Sequence, residues 1–175
     1  MTQSFKSVLL ACLIAPVVFA TAGAAEPTNE SERATLIDQL MKERQWNLAL
    51  EHIEQGLIVN PKSAQLKFKR AVVFERKGNT VRAKALLQDL IKAYPEIAEP
   101  YNNLAVIYAN EGNNARAQSL LQKAVTINPR YALAHENLGD LYLQKAIAHY
   151  KNASQAQPKN KRMGRKLKAA QNLMN

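Results

Sequence analysis

The sequence predicts an all-α protein built as a stack of helical hairpins, and three observations predict it. Pro61, Pro95 and Pro129 fall 34 residues apart, and self-similarity at such a period is the signature of a repeat architecture. Within residues 98–131, Tyr101, Leu104, Ala105 and Tyr108 recur at i, i+3, i+4 and i+7, and Ala117, Leu121 and Ala124 then repeat the rhythm, so two amphipathic helices are written. Between them Glu111-Gly112-Asn113 supplies a glycine able to end a helix in the left-handed conformation, and Pro129 stops the second helix. Stacked hairpins present a surface and rarely carry a reaction centre, so the fold class points to binding.

Residues 1–25 read as a signal peptide and are set aside from the fold. Lys6 marks a short basic start, Val8 to Ala20 is apolar, and Ala22-Gly23-Ala24-Ala25 offers small-residue cleavage sites. A membrane anchor is the alternative reading, since Val8 to Ala25 runs 18 residues without charge; Pro16 and the small-residue end argue against it. Leu10-Ala11-Cys12 could mark a lipoprotein, but only four apolar residues precede Cys12 after Lys6 and the apolar run continues beyond it. Cleavage leaves no cysteine, hence no disulfide, thiol nucleophile or thiolate metal site. Glu26-Pro27-Thr28-Asn29 is then a polar leader to helices that begin near Glu30.

The copy ending at Pro61 carries Leu36, Leu40, Ala49 and Ile53 on its stripes, with Trp46 just inside the second helix; the copy ending at Pro95 carries Ala71, Phe74, Gly78, Ala83 and Leu87. These residues resemble the tetratricopeptide repeat (TPR), whose pattern is Trp-x2-Leu-Gly-x2-Tyr, then Ala-x3-Phe, then Pro. Lys67 and Arg70 depart from it, standing where large apolar residues are usual. The resemblance implies a right-handed superhelix over residues 26–158, with copies at about 30–63, 64–97, 98–131 and 132–158.

The fourth copy departs by count. Leu40 to Ala49, Phe74 to Ala83 and Tyr108 to Ala117 each span nine residues, whereas Tyr142 to Ala146 spans four. The turn is missing, and four is itself a helical spacing. Leu138, Tyr142, Ala146, Tyr150 and Ala153 then form one stripe, which predicts a single helix over 132–156, roughly 35 Å long, with both tyrosines packed on the preceding repeat. In residues 159–175 Met163, Leu167, Ala170 and Met174 recur on one face, as in a basic helix that caps a repeat array.

Charge separates along the chain. Without Lys6, 23 basic and 14 acidic residues remain. Six of the cations are Lys159, Lys161, Arg162, Arg165, Lys166 and Lys168, in a tail with no acid. The basicity therefore belongs to the C-terminus, lacks interleaved aromatics, and is not a nucleic-acid footprint; an anionic membrane surface or cell-wall polymer is the partner class that such a tail admits.

Catalytic and metal chemistry find little footing. His52, His135 and His149 have no second ligand at metal-binding spacing and no matching nucleophile motif. Glu136 and Asp140 lie one helical turn apart, without a third oxygen ligand or glycine-bearing loop nearby. No glycine loop is built to cradle phosphate, so no cofactor is expected and the chain reads as non-enzymatic.

The TPR resemblance implies a concave peptide-binding groove lined by the first helix of each copy. Its positions fall on Ser31, Ala34, Asp38 and Met41, on Gln65, Phe68, Val72 and Glu75, on Glu99, Asn102, Val106 and Ala109, and on Leu133, Glu136, Asp140 and Leu143, with Asn103 and Asn137 beside them. Phe68, Val72, Glu75, Asn102, Asn103, Val106, Glu136, Asn137 and Asp140 are the expected contact set. Asparagines donate and accept at once and suit an extended peptide backbone, while the groove acids outnumber its cations Lys42 and Arg76 and favour apolar, basic peptides. Some TPR proteins clamp a terminal carboxylate; here the clamp positions hold Phe68, Val72, Asn103, Leu133 and Asn137, and only Asn103 matches. The cationic donors are absent, which excludes an acidic C-terminal peptide as the expected ligand of that clamp. The whole reads as a scaffold of the bacterial envelope, periplasmic or secreted, that binds a protein or peptide. Intact mass should show the exported protein without residues 1–25; a mature chain retaining Met1, or a lipid on Cys12, would overturn the leader assignment.

Overall fold

The structure, a computed structural model, describes Pro27 and residues 29–174; the leader assigned to residues 1–25 lies outside the described residues. Those residues form eight helices: α1 (Glu30–Lys42), α2 (Trp46–Val59), α3 (Ala64–Arg76), α4 (Thr80–Ala93), α5 (Ala98–Asn110), α6 (Asn114–Ile127), α7 (Ala132–Ala156) and α8 (Lys161–Asn172). Each packs on the next in chain order. The first helices of successive copies begin at Glu30, Ala64, Ala98 and Ala132, which reproduces the 34-residue period.

The same packing recurs in three hairpins. Ile37, Ala71 and Ala105 occupy one register position, Ala49, Ala83 and Ala117 another, and all six are inaccessible to solvent. Ile53, Leu87 and Leu121, the next turn along each second helix, are equally buried, and Leu40, Phe74 and Tyr108 close the hairpin above them. A fully buried side chain of this size contributes roughly 1.5–3 kcal/mol. The two later aromatics are also roofed by cations, Arg82 lying 4.9 Å from the Phe74 ring and Arg116 5.4 Å from the Tyr108 ring.

Turn chemistry repeats with one exception. Gly78 and Gly112 take positive φ, 78° and 77°, and the following Asn79 and Asn113 cap α4 and α6 by accepting from the Arg82 and Arg116 backbone N–H groups, each at 3.2 Å. In the first hairpin the left-handed residue is Arg44, at φ 59°, and Gln45 makes no side-chain cap. The backbone is otherwise alike: the Gln45 N–H reaches the Leu40 carbonyl at 2.8 Å, as Asn79 reaches Phe74 at 2.9 Å.

α7 runs unbroken because the turn and second helix are absent, and its stripe does two jobs. Ala134, Leu138 and Leu141 are buried on the stack side. The expectation that Tyr142 and Tyr150 both pack on the preceding repeat is corrected. Tyr142, the register equivalent of Tyr108, is 46% exposed, with its hydroxyl accepting from Gln122 Nε2 of α6 at 3.2 Å. In the complete copies this position is covered by the repeat's own second helix, which the fourth copy lacks. Steps of i+4 also drift by about 40° around a 3.6-residue helix, so by Tyr150 the stripe has wound off the stack and faces α8, where Lys166 Nζ lies 5.4 Å from its ring.

α8 packs against α7. Met163 and Leu167 are half-buried and Ala170 is buried, as the tail stripe predicts, but Met174 is exposed beside Leu173. The helix thus covers the α7 extension. Nothing lies within 4 Å of a Cβ built on Gly78, so Gly78→Ala should lose about 1 kcal/mol through left-handed strain alone. Arg44→Gly should gain a similar amount; thermal melting of both variants checks the pair.

Candidate functional site

The concave face carries a recess of about 330 Å³ between α3, α5 and α7. Val72, Glu75, Asn102, Asn103, Val106 and Asn137 of the expected set line it, together with Arg76, Asn110 and Leu133. Asn110 was missed by sequence reasoning, although it continues the i+4 stripe of Asn102 and Val106 by one turn. Three expected members stand elsewhere. Phe68 is half-buried against the main core, and Glu136 and Asp140 lie exposed on α7 outside the recess.

Asn102 is also not what its position implies. It is 1% exposed, buried at the junction of α5 and α7. Its Oδ1 accepts from Asn137 Nδ2 at 2.8 Å, and its Nδ2 donates to Asn103 Oδ1 at 3.2 Å. The three amides therefore form a chain across the floor of the recess. A buried amide with its main partner removed would cost about 1–3 kcal/mol, so Asn102 is a clasp holding the third repeat to the fourth. The free ends of the chain are Asn103 Nδ2, a donor, and Asn137 Oδ1, an acceptor; neither has a protein partner among the described residues.

Electrostatics depart from the simple count of groove acids. Lys69, only 9% exposed, donates to Asp38 at 2.6 Å, which ties α3 to α1 and spends the Asp38 charge. Glu75 lies 3.4 Å from Arg76. Glu99, Glu136 and Asp140 make no ion pair among the described residues, so the acidity that remains is concentrated at the α5–α7 end. Burial, and next to it the Glu99 carboxylate, raise the Tyr131 hydroxyl above its ordinary pKa. The basic tail residues Lys159, Lys161, Arg162, Arg165, Lys166 and Lys168 are all exposed on the α7–α8 turn and α8, far along the chain from the recess. Among the described residues no group of three His, Cys, Asp or Glu side chains could hold a metal ion, and no helix is long and apolar enough to cross a membrane.

Repeated hairpins of this kind define an α-solenoid interaction scaffold. Two sequence models of the tetratricopeptide repeat match, one over residues 35–98 and the other over 98–131, and the chain belongs to that family. No curated protein matches it significantly. Among solved structures it is similar to TTC0263, a thermophilic TPR protein of Thermus thermophilus, at 24% identity and TM-score 0.62, covering 84% of each chain. It is also similar to the TPR domain of Arabidopsis OM64, at 15% identity and TM-score 0.58, over 64% of this chain and 93% of that one. A third is the first TPR of Spaghetti (RPAP3) bound to the HSP90 peptide SRMEEVD, at 13% identity and TM-score 0.57, covering 70% and 99%. At these identities the likeness is one of fold. TPR proteins are interaction modules that bind protein partners, and the chain is such a module by family.

Asn102→Ala should lower stability by about 1–3 kcal/mol, because it strands Asn137 and opens the α5–α7 junction, while Asn103→Ala should cost little. Denaturant melts of the two single variants and of Asn137→Ala decide it; equal, near-zero losses for Asn102→Ala and Asn103→Ala would remove the clasp.

Proposed function

We propose that the chain is an exported, non-enzymatic scaffold of the bacterial envelope whose concave recess holds an extended segment of a partner protein. One observation carries the reading: the amide chain leaves a donor at Asn103 and an acceptor at Asn137, the complement of one peptide unit, between the apolar walls of Val72, Val106 and Leu133. Glu99, Glu136 and Asp140 favour a segment that is apolar and basic where it passes α5 and α7. A fold neighbour that holds a short peptide lends the reading analogy.

The second reading places binding on the C-terminal arm. From Leu141 onward the sequence holds eight cations and no acid, a surface suited to anionic lipid or cell-wall polymer. Salt separates the two: arm-driven binding should fall steeply with ionic strength, and recess-driven binding much less. In a scan of immobilised apolar-basic peptides, the variant carrying Val72→Ala, Asn103→Ala and Val106→Ala should bind roughly tenfold more weakly or worse, at unchanged fold. Full affinity in that folded variant would remove the recess as the binding surface.

A further inference from the structure

The first hairpin turn opens a second recess, about 640 Å³, lined by Met41, Lys42, Arg44, Trp46, Val72 and Arg76. Val72 and Arg76 also line the main recess, so the two are continuous along the concave face. Three cations stand here. Only Arg76 has an acid partner, Glu75. Glu43, between Lys42 and Arg44 in sequence, pairs with neither: Gln39 Nε2 donates to one of its oxygens at 2.9 Å and Gln45 Nε2 to the other at 2.7 Å. Lys42 and Arg44 make no ion pair among the described residues.

Arg44 is also conformationally unusual. Its register equivalents in the next two turns are Gly78 and Gly112, and all three positions are left-handed, with φ 59°, 78° and 77°. Arginine holds this conformation at a cost that glycine escapes. Backbone strain of this kind is a pointer to function where the side chain is placed to act, and this one lines a cationic recess against Trp46. The indole and the Met41 and Val72 side chains supply apolar walls.

We infer that this recess is a subsite for an acidic side chain, an aspartate or glutamate flanked by apolar residues, on the segment that lies along the concave face. It rests on the proposed peptide binding only for the path of that segment. Arg44, Lys42 and Arg76 surround the carboxylate, and Trp46 packs the apolar neighbour. The full ligand is then acidic where it passes the first repeat and basic where it passes α5 and α7. None of the three cations stands at a carboxylate-clamp position, Val72 alone being shared with that set, and the group recognised is a side chain within the segment.

Trp46 is the single tryptophan of the chain, so emission reports on the surroundings of this one side chain, which also borders the first-repeat core and a shallow recess beside Leu48 and Lys77. The probes are acetyl-Leu-Asp-Leu-Glu-Leu-amide, which has no terminal carboxylate, and its uncharged counterpart acetyl-Leu-Asn-Leu-Gln-Leu-amide, titrated into the mature protein by fluorescence and by calorimetry. The acidic probe should bind saturably, and the uncharged one about fivefold more weakly or less. Lys42→Gln and Arg44→Gly should each lower affinity for the acidic probe by about fivefold, although Arg44→Gly should melt at a higher temperature. Asn103→Ala with Val106→Ala should leave the acidic probe untouched, so failure of the main recess and failure of this one are read separately. Equal affinity for the two probes, no binding of the acidic one, or full affinity in Arg44→Gly would overturn the inference.

Discussion

The close approach of two helices within each hairpin, made at a residue no larger than alanine, is the constraint on which the rest of the structure depends. Ala49, Ala83 and Ala117 are buried completely, and a larger side chain there would separate the helices and uncover the aromatic or leucine that closes the hairpin. A hairpin so formed still has an apolar face that only a neighbour can cover, which is why the copies stack. The fourth copy shows the converse. With its second helix gone, Gly139 stands exposed where Ala105 is buried, Tyr142 stands exposed where Tyr108 is buried, and α7 extends until α8 can cover its far half.

The period, the helix starts and the missing turn were legible in the sequence because each is a matter of spacing, and spacing survives degeneracy of individual positions. Side-chain partnerships were not legible to the same degree. Asn102 sits at a groove position, yet its fate depends on Asn137 being 35 positions later, one residue beyond the repeat. Asp38 reads as a free groove acid in the sequence, but Lys69, 31 positions on, neutralises it. Phe68 faces the groove by register, but a large ring at that position finds more contact by leaning onto the core. The Asn102 and Asp38 discrepancies are contacts between neighbouring copies that a one-repeat pattern cannot express.

Charge pairing, between copies at Asp38 and within α3 at Glu75, also orders the electrostatics of the concave face. Pairing of Asp38 and Glu75 removes acidity from the first two copies and leaves Lys42 and Arg44 in excess there. Glu99, Glu136 and Asp140 keep their charges at the other end. A segment bound along this face as proposed would meet opposite fields at its two ends, which would set its direction more than its affinity.

The arm formed by the far half of α7 and by α8 obeys different physics from the stack. In α8 only Ala170 is fully buried, Met163 and Leu167 are half-buried, and no acid offsets the lysines and arginines. Little apolar burial and strong self-repulsion favour local opening of this segment. Salt screens that repulsion, so it favours the docked α8 while weakening the pull of the arm on any anionic surface. An anionic surface that engages the lysines has the first effect without the second, because it neutralises the charges it binds. Were the arm to engage such a surface, binding and ordering of α8 would be linked, with the helix held most firmly when its cations are occupied.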